Sequence, residues 1–274
     1  MMLCCAGAGM RLHAQPLNKG RIAILGDSIA YAGYWANEVE NTLRDDKKFA
    51  ACEIVNFAVP SETVAGLSEY GHAGGRFPRP CLHERLSRIL KMYQPQLILA
   101  CYGMNDGLMQ AFDKARFQAY QEGNIRLKKA ADAAKAEIVF ITPPLFRGDS
   151  AEQAEYDTVL DKYAEWLVSK RKDGWKVIDI RPGLRKFIAR EKAGNPGFRY
   201  SGDGVHPGPE GHHMIAREVL AGLVPEIGLA PEVAEKDHRP TPDTMKKHEK
   251  VRNEWLVKTG HARPEIPGYD PEMA

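Results

Sequence analysis

The chain has 274 residues, 43% hydrophobic and 27% charged, with 38 Lys and Arg against 36 Asp and Glu. That composition describes one large globular domain or two small ones and excludes global disorder. A net charge of +2 with no standout basic cluster argues against nucleic acid as a partner, and no apolar run approaches the roughly 18 residues of a membrane-spanning helix, which argues against membrane insertion.

Taken in chain order, Met1 to Met10 are almost all small or apolar, and Leu12-His13-Ala14 before Gln15 fits a secretory cleavage site. Residues 1–20 are therefore expected to be a leader, a truncated signal peptide, which places the protein in the periplasm or outside the cell. From Arg21 onward, short apolar runs alternate with longer amphipathic ones. Five runs predict strands: Arg21 to Leu25, Glu53 to Ala58, Leu97 to Tyr102, Glu137 to Thr142 and Lys176 to Ile180. Helical stripes lie between them: Leu82, Leu86, Ile89 and Tyr93; then Phe117, Tyr120, Asn124, Leu127, Ala131 and Ala134; then Tyr156, Leu160, Tyr163 and Leu167. A further helix opens at Pro209 and runs to Leu223. This alternation predicts an α/β fold, a five-stranded parallel sheet with helices on both faces, over residues 21–225. Residues 226–274 turn to Pro, Lys, Glu and His, and predict an appended helix from Thr241-Pro242 to Gly260 with an extended tail.

Cys4, Cys5, Cys52, Cys81 and Cys101 are dispersed, without metal-finger spacing, so a disulfide framework is not expected and buried free thiols are.

The ends of the predicted strands carry the chemistry. The first closes on Gly26-Asp27-Ser28, which presents Ser28 at a strand-to-loop switch; taken singly, the tripeptide reads as an ordinary helix N-cap. A serine nucleophile needs a base and the base needs an orienting group. Asp203-Gly204-Val205-His206-Pro207 supplies both, because a Gly- and Pro-rich loop lets Asp203 curl back onto His206. Oxyanion donors are the third requirement. Gly103-Met104-Asn105-Asp106 follows the third strand and offers the Asn105 amide. Asn56 to Thr63 follows the second and offers the Ser61 N-H, with the Ser28 N-H as a third donor.

Four separate segments thus supply the parts of one acyl-transfer reaction, and together they resemble the SGNH hydrolases, the GDSL esterase/lipase family. The matching positions are Ser28 in GDS, Ser61 in NFAVPSET, Asn105 in GMND, and His206 with Asp203 in DGVH, in the family's order over roughly Arg21 to Leu223. The resemblance implies a flavodoxin-like three-layer α/β/α sandwich, a Ser28-His206-Asp203 triad and no cofactor. One departure stands out: the family usually has Gly where this chain has Ser61.

The insertion Gly71 to Pro80 leaves the crevice side with two arginines and an aromatic, and Arg76 and Phe77 are candidate contacts to a sugar or carboxylate; packing of this loop against the appended helix is the other reading. His212 and His213 are expected to pack or face solvent rather than bind metal, and Asp106 to brace the loop that holds Asn105. The resulting expectation is a serine esterase for short acyl groups, acetyl above all, on a small-molecule or glycan ester. A lipase or thioesterase for longer chains and a carbohydrate-binding pseudoenzyme remain the alternatives, and the oligomeric state is not legible.

Overall fold

The structure, a computed structural model, describes residues 20–147 and 151–273, and the side chains of these except at 151–154. The expected leader lies outside the described residues apart from Gly20, and so do Cys4 and Cys5. In chain order the elements are β1 (Arg21–Gly26), α1 (Ser28–Tyr31), α2 (Tyr34–Asp45), β2 (Glu53–Asn56), α3 (His72–Gly75), α4 (Leu82–Met92), β3 (Leu97–Cys101), α5 (Lys114–Ala133), β4 (Glu137–Ile141), α6 (Ala151–Ser169), β5 (Lys176–Ile178), α7 (Arg181–Gly194), α8 (Pro209–Ile227), α9 (Pro231–Ala234) and α10 (Pro242–Thr259).

The strands form one sheet in the order β2-β1-β3-β4-β5, every neighbouring pair parallel. Parallel strands are covered on both faces, which is why β3 reads as an unbroken apolar run and is buried throughout. Helices α2, α7 and α8 pack together as one layer and α4, α5 and α6 as the other. The aromatic stripes face this core: Tyr120 on α5 stacks on Tyr163 of α6 with ring centroids 4.3 Å apart. Among the described residues, no helix is long and apolar enough to cross a membrane. Among the described residues, Cys52, Cys81 and Cys101 form no disulfide, and the first and last are buried.

Each predicted strand appears within two residues of its expected limits. The second ends at Asn56 rather than Ala58, yet Phe57 N-H still donates to Ile24 O (2.8 Å) and Val59 N-H to Gly26 O (3.0 Å), so the segment stays tied to β1 past the end of the ladder. The boundary expected at Pro225 falls inside α8 instead. A proline there deletes one backbone donor in the last turn, and the helix ends two residues later at Ile227, capped by Gly228, whose φ of 70° is the left-handed region that glycine occupies without strain. Helix α2, which the sequence reading did not name, keeps an apolar stripe of Trp35, Val39 and Leu43 and buries Asn37, Glu38, Glu40 and Thr42 beside it. Helix α7, also not named there, buries Arg181 beside Leu184 and Ile188, held by Asp157 and Asp161 of α6.

From β1 the chain first crosses to β2 and then reverses to β3. Such a switch leaves an open crevice at the carboxyl ends of β1 and β3. Edge strand β2 is covered by α10, which also packs on α2 and α4.

Candidate active site

Strand β1 delivers Ser28 to that crevice. Asp27 is the N-cap of α1 and accepts from the Ile29 N-H at 3.0 Å, which leaves the half-buried Ser28 hydroxyl free of capping. Burial pushes the Asp27 carboxyl up to about 6, against the pull of the Ile29 N-H and of His206. Gly26 is needed here for closeness rather than for a turn. A Cβ on it would stand 2.8 Å from Ala30 Cβ and 3.1 Å from Cys101 O, so the missing side chain is what lets α1 fold back over the strand ends.

His206 arrives from the loop before α8. Its Nε2 lies 2.8 Å from Ser28 Oγ, and its Nδ1 lies 2.6 Å from Asp203 Oδ2. The other carboxylate oxygen of Asp203 accepts from Ser201 Oγ (3.0 Å), Val205 N-H (2.9 Å) and His206 N-H (2.7 Å). Partial burial works against its charge, but these donors and the imidazole hold Asp203 well below the usual carboxylate range. An ionised Asp203 can only accept, so the imidazole carries its proton on Nδ1 and presents the Nε2 lone pair to Ser28. The side chains of Asp203 and His206 are 56% and 48% exposed, so the site is open to solvent along this edge.

Ser61 sits at φ 65°, inside the left-handed region, which explains why glycine is the easier residue here and shows that serine adopts the same backbone. Among the described residues, neither the Ser61 nor the Ser28 N-H is committed to a protein acceptor. Asn105 is buried. Its Oδ1 accepts from Arg79 Nη1 at 2.8 Å, and its Nδ2 makes one long contact of 3.4 Å to Glu62 O. A guanidinium only donates, so Arg79 fixes which way the Asn105 amide faces and turns the NH2 toward the crevice.

The supports beneath these residues escaped the sequence reading. Arg79 is buried and bidentate to Glu69 (2.7 and 2.8 Å), and burial of Glu69 is outweighed by Arg79 and His72, which bring its carboxyl down to about 2. Arg79 also acts on Asp27. Under the segment that carries Ser61, Glu62 is fully buried and receives Arg85 Nε at 2.6 Å and Tyr102 Oη at 2.6 Å. Asp106 accepts from Val64 N-H (2.9 Å) and Ala65 N-H (2.8 Å), so it ties the Asn105 loop to the Ser61 segment, and burial pushes its carboxyl up to about 7. A long-range ion pair leaves no local spacing signal, so only the Asp106 brace was foreseeable.

The 71–80 loop packs on the tail that follows the appended helix, not on the helix itself, and borders a cleft. Arg76 pairs with Glu265 at 2.5 Å and Phe77 lies beneath Arg263, 4.2 Å from guanidinium to ring centroid, so the loop packs on the C-terminal tail. With Ser68, Glu69, Tyr70 and His72 it also lines a cleft of about 780 Å³. Phe77 is only 7% exposed and supports that cleft from below, whereas Tyr70 is fully exposed beside it.

The paired histidines part company, as a helix requires. His212 is buried against Tyr34, and burial followed by the charge of His206 lowers it to about 4. His213 Nδ1 lies 2.8 Å from Glu38 Oε1. Ligand atoms of Glu38, His213 and Asp237 lie within 4.8 Å of one another, but Arg239 stands 3.5 Å from Asp237 and opposes a cation there.

The profile of the GDSL-like Lipase/Acylhydrolase family matches residues 24–214. No curated protein sequence matches the chain at a significant level. Among solved structures, a catalytic mutant of Axe2, an acetylxylan esterase from Geobacillus stearothermophilus, aligns with a TM-score of 0.58 at 17% identity, over 74% of this chain and 94% of its own. LAE5, an α/β hydrolase enzyme from the metagenome of Lake Arreo in Spain, aligns with a TM-score of 0.55 at 17% identity, over 74% and 94% respectively. At that identity the likeness to both concerns the fold.

Proposed function

The chain belongs to the GDSL-like lipase/acylhydrolase family and is a carboxylic ester hydrolase, and from that premise we propose a serine esterase with Ser28 as nucleophile, His206 as general base and acid, and Asp203 as the group that orients the imidazole. The unbroken run from Asp203 through His206 to Ser28, at 2.6 and 2.8 Å, carries this reading.

Ser28 Oγ attacks the ester carbonyl carbon while His206 Nε2 takes its proton. The carbonyl π electrons move onto oxygen, where the Ser28 N-H, the Ser61 N-H and Asn105 Nδ2 receive the charge. Collapse of the tetrahedral adduct breaks the bond to the alcohol, which leaves with the proton from His206. Water then attacks the acyl-Ser28 ester with His206 again as base, and the acid leaves as Ser28 regains its proton. Asp203 stays ionised throughout and balances the imidazolium. No cofactor enters any step. Asn105→Ala is expected to lower kcat on p-nitrophenyl acetate by about 100- to 1,000-fold with little change in KM; an unaltered kcat removes Asn105 from the oxyanion site.

For the substrate we favour short acyl groups, chiefly acetyl, on a carbohydrate. The half-exposed histidine and aspartate leave room for a bulky polar alcohol, and Tyr70 and Arg76 offer a ring face and donors in a cleft whose Glu69 holds Arg79, the partner of Asn105. Axe2, being an acetylxylan esterase, agrees in kind, and a polysaccharide substrate agrees with a periplasmic or secreted protein. Tyr70→Ala is expected to raise KM for acetylated xylo-oligosaccharides about 5- to 10-fold and to leave KM for p-nitrophenyl acetate unchanged, as loss of one stacking face predicts.

The longer-chain reading has its own observation: Met109 and Phe112 are exposed in the loop after Asn105 and could meet an acyl tail. Comparing p-nitrophenyl acetate with the octanoate, alongside acetate release from acetylated oligosaccharides, decides between them. A higher kcat/KM for the octanoate overturns the deacetylase reading. A fluorophosphonate that fails to label Ser28 while glycan binding persists replaces the esterase reading with a binding protein.

A further inference from the structure

Helix α1 is a single turn, and one turn has no stability of its own because nucleating a helix costs more than one hydrogen bond returns. Its direction, and with it the aim of the Ser28 hydroxyl and N-H, is set by whatever holds its two ends. Asp27 holds the first. At the other end the carbonyl of Ala30 accepts from Asn56 Nδ2 at 2.8 Å, and the carbonyl of Tyr31 accepts from Arg252 Nη1 at 2.5 Å.

Both of those donors lead to α10. Asn56 Nδ2 lies 3.1 Å from His248 Nε2, and His248 Nδ1 lies 2.7 Å from Glu40 Oε2. Glu40 also accepts from Arg44 at 2.8 Å, and although burial opposes its charge, His248 and Arg44 hold its carboxyl below the usual range. A carboxylate on Nδ1 puts the proton there, so Nε2 is the acceptor for Asn56. Asn56 Oδ1 meanwhile accepts the Ala58 N-H at 3.0 Å, three residues before Ser61. One buried amide, steadied by His248, therefore ties the nucleophile turn to the segment that carries the second oxyanion donor.

Arg252 makes the contact independently. Its guanidinium is buried, stacks over the Tyr31 ring at 3.9 Å, and has no carboxylate partner among the described residues. Burying a cation is costly, and an edge cover needs only apolar contact, which Trp255 provides against Tyr93 (4.9 Å) and Phe57 (5.8 Å). Between the two, Gly33 with φ 86° admits α10 so closely that a Cβ would stand 3.1 Å from Met245 Cε and 3.4 Å from His248 Cδ2.

We propose that α10 completes the active site: His248 through Asn56, and Arg252 directly, are positioning residues that hold the carbonyl end of α1 and so aim Ser28. The helix lies outside residues 24–214, which the family profile matches, so this is a feature of the present chain's extension. The inference rests on the reading of Ser28 as the nucleophile.

The test uses the full chain and measures kcat and KM on p-nitrophenyl acetate together with the rate at which a fluorophosphonate labels Ser28. His248→Ala and Arg252→Met are each expected to lower kcat and the labelling rate about 10-fold or more with KM within about twofold, since small misplacements of a reacting group cost that much. His248→Gln returns most of the loss, because its Oε1 can accept from Asn56. Leu256→Ala, which removes buried packing from the same helix without touching α1, serves as the control for destabilisation. Normal kcat in the folded His248 and Arg252 variants overturns the proposal, and so does a kcat loss that Leu256→Ala matches at an equal fall in Tm. If His248→Ala does not fold, Arg252→Met against Arg252→Lys decides the same question, with rescue expected from lysine and equal activity of the two overturning the proposal. A wild-type chain that neither turns over the ester nor labels at Ser28 fails at the esterase reading itself and takes this inference with it.

Discussion

Replacing Ser28 with alanine is expected to lower kcat/KM on p-nitrophenyl acetate by about four orders of magnitude or more, the scale on which removal of a triad nucleophile acts. The substitution takes away one oxygen, the atom 2.8 Å from His206 Nε2. Everything around it stays: the Asp27 cap uses the Ile29 N-H, the Ser28 N-H remains, and Asp203 keeps its three donors. A loss of this size with an unchanged melting temperature therefore reports chemistry and not folding. What survives should come from the oxyanion donors and binding alone, and a variant retaining more than about 1% of the wild-type rate would sink the nucleophile assignment.

The second large effect is on stability. Glu62 and Arg85 are 0% and 1% exposed, joined by contacts of 2.6 and 2.8 Å; Tyr102 Oη donates to the same carboxylate and Arg85 Nη2 donates to Phe57 O at 2.5 Å. Burial pushes the Tyr102 phenol far up, so it stays a donor. Removing one partner leaves the other charge stranded without water. Glu62→Gln and Arg85→Met are each expected to cost about 3–5 kcal/mol in urea unfolding, whereas Glu62→Leu with Arg85→Met should cost less than the sum, because the double replacement leaves no buried charge unpaired and frees only the neutral Tyr102 hydroxyl and Phe57 carbonyl. A single-variant loss below about 1 kcal/mol would mean that water reaches the pair. Since Glu62 adjoins Ser61, the single variants should also lose activity beyond their loss of folded protein.

The five strands, the α5 and α6 stripes and the start of α10 were legible because buried strands and amphipathic helices impose local periods on the chain. Ser28, Asp203, His206, Asn105 and Ser61 could be picked out because each follows a strand or stands in a Gly- and Pro-rich loop, where a polar run has few other uses. Helices α2 and α7 bury polar side chains whose partners lie in other elements, Asn37 and Glu38 in the first and Arg181 in the second, and local spacing assigns such residues to solvent. The same reason hid Arg79, Glu62, Arg85 and His248: each is a charged or polar residue made buriable by a partner at least ten positions away.

By itself the sequence determined the order of the five strands and of α4, α5, α6, α8 and α10, the residue types at the strand ends, and the departure at Ser61, since all of these are written in local spacing. Only the tertiary structure decided that Gly26 serves closeness and not a turn, that Phe77 props the cleft from below while Tyr70 is exposed, and that the appended helix contacts the Ser28 turn through Asn56 and Arg252. The physical reason is that a burial-dependent hydrogen bond or ion pair gains its strength from what surrounds it, and a linear chain states the partners but not their meeting.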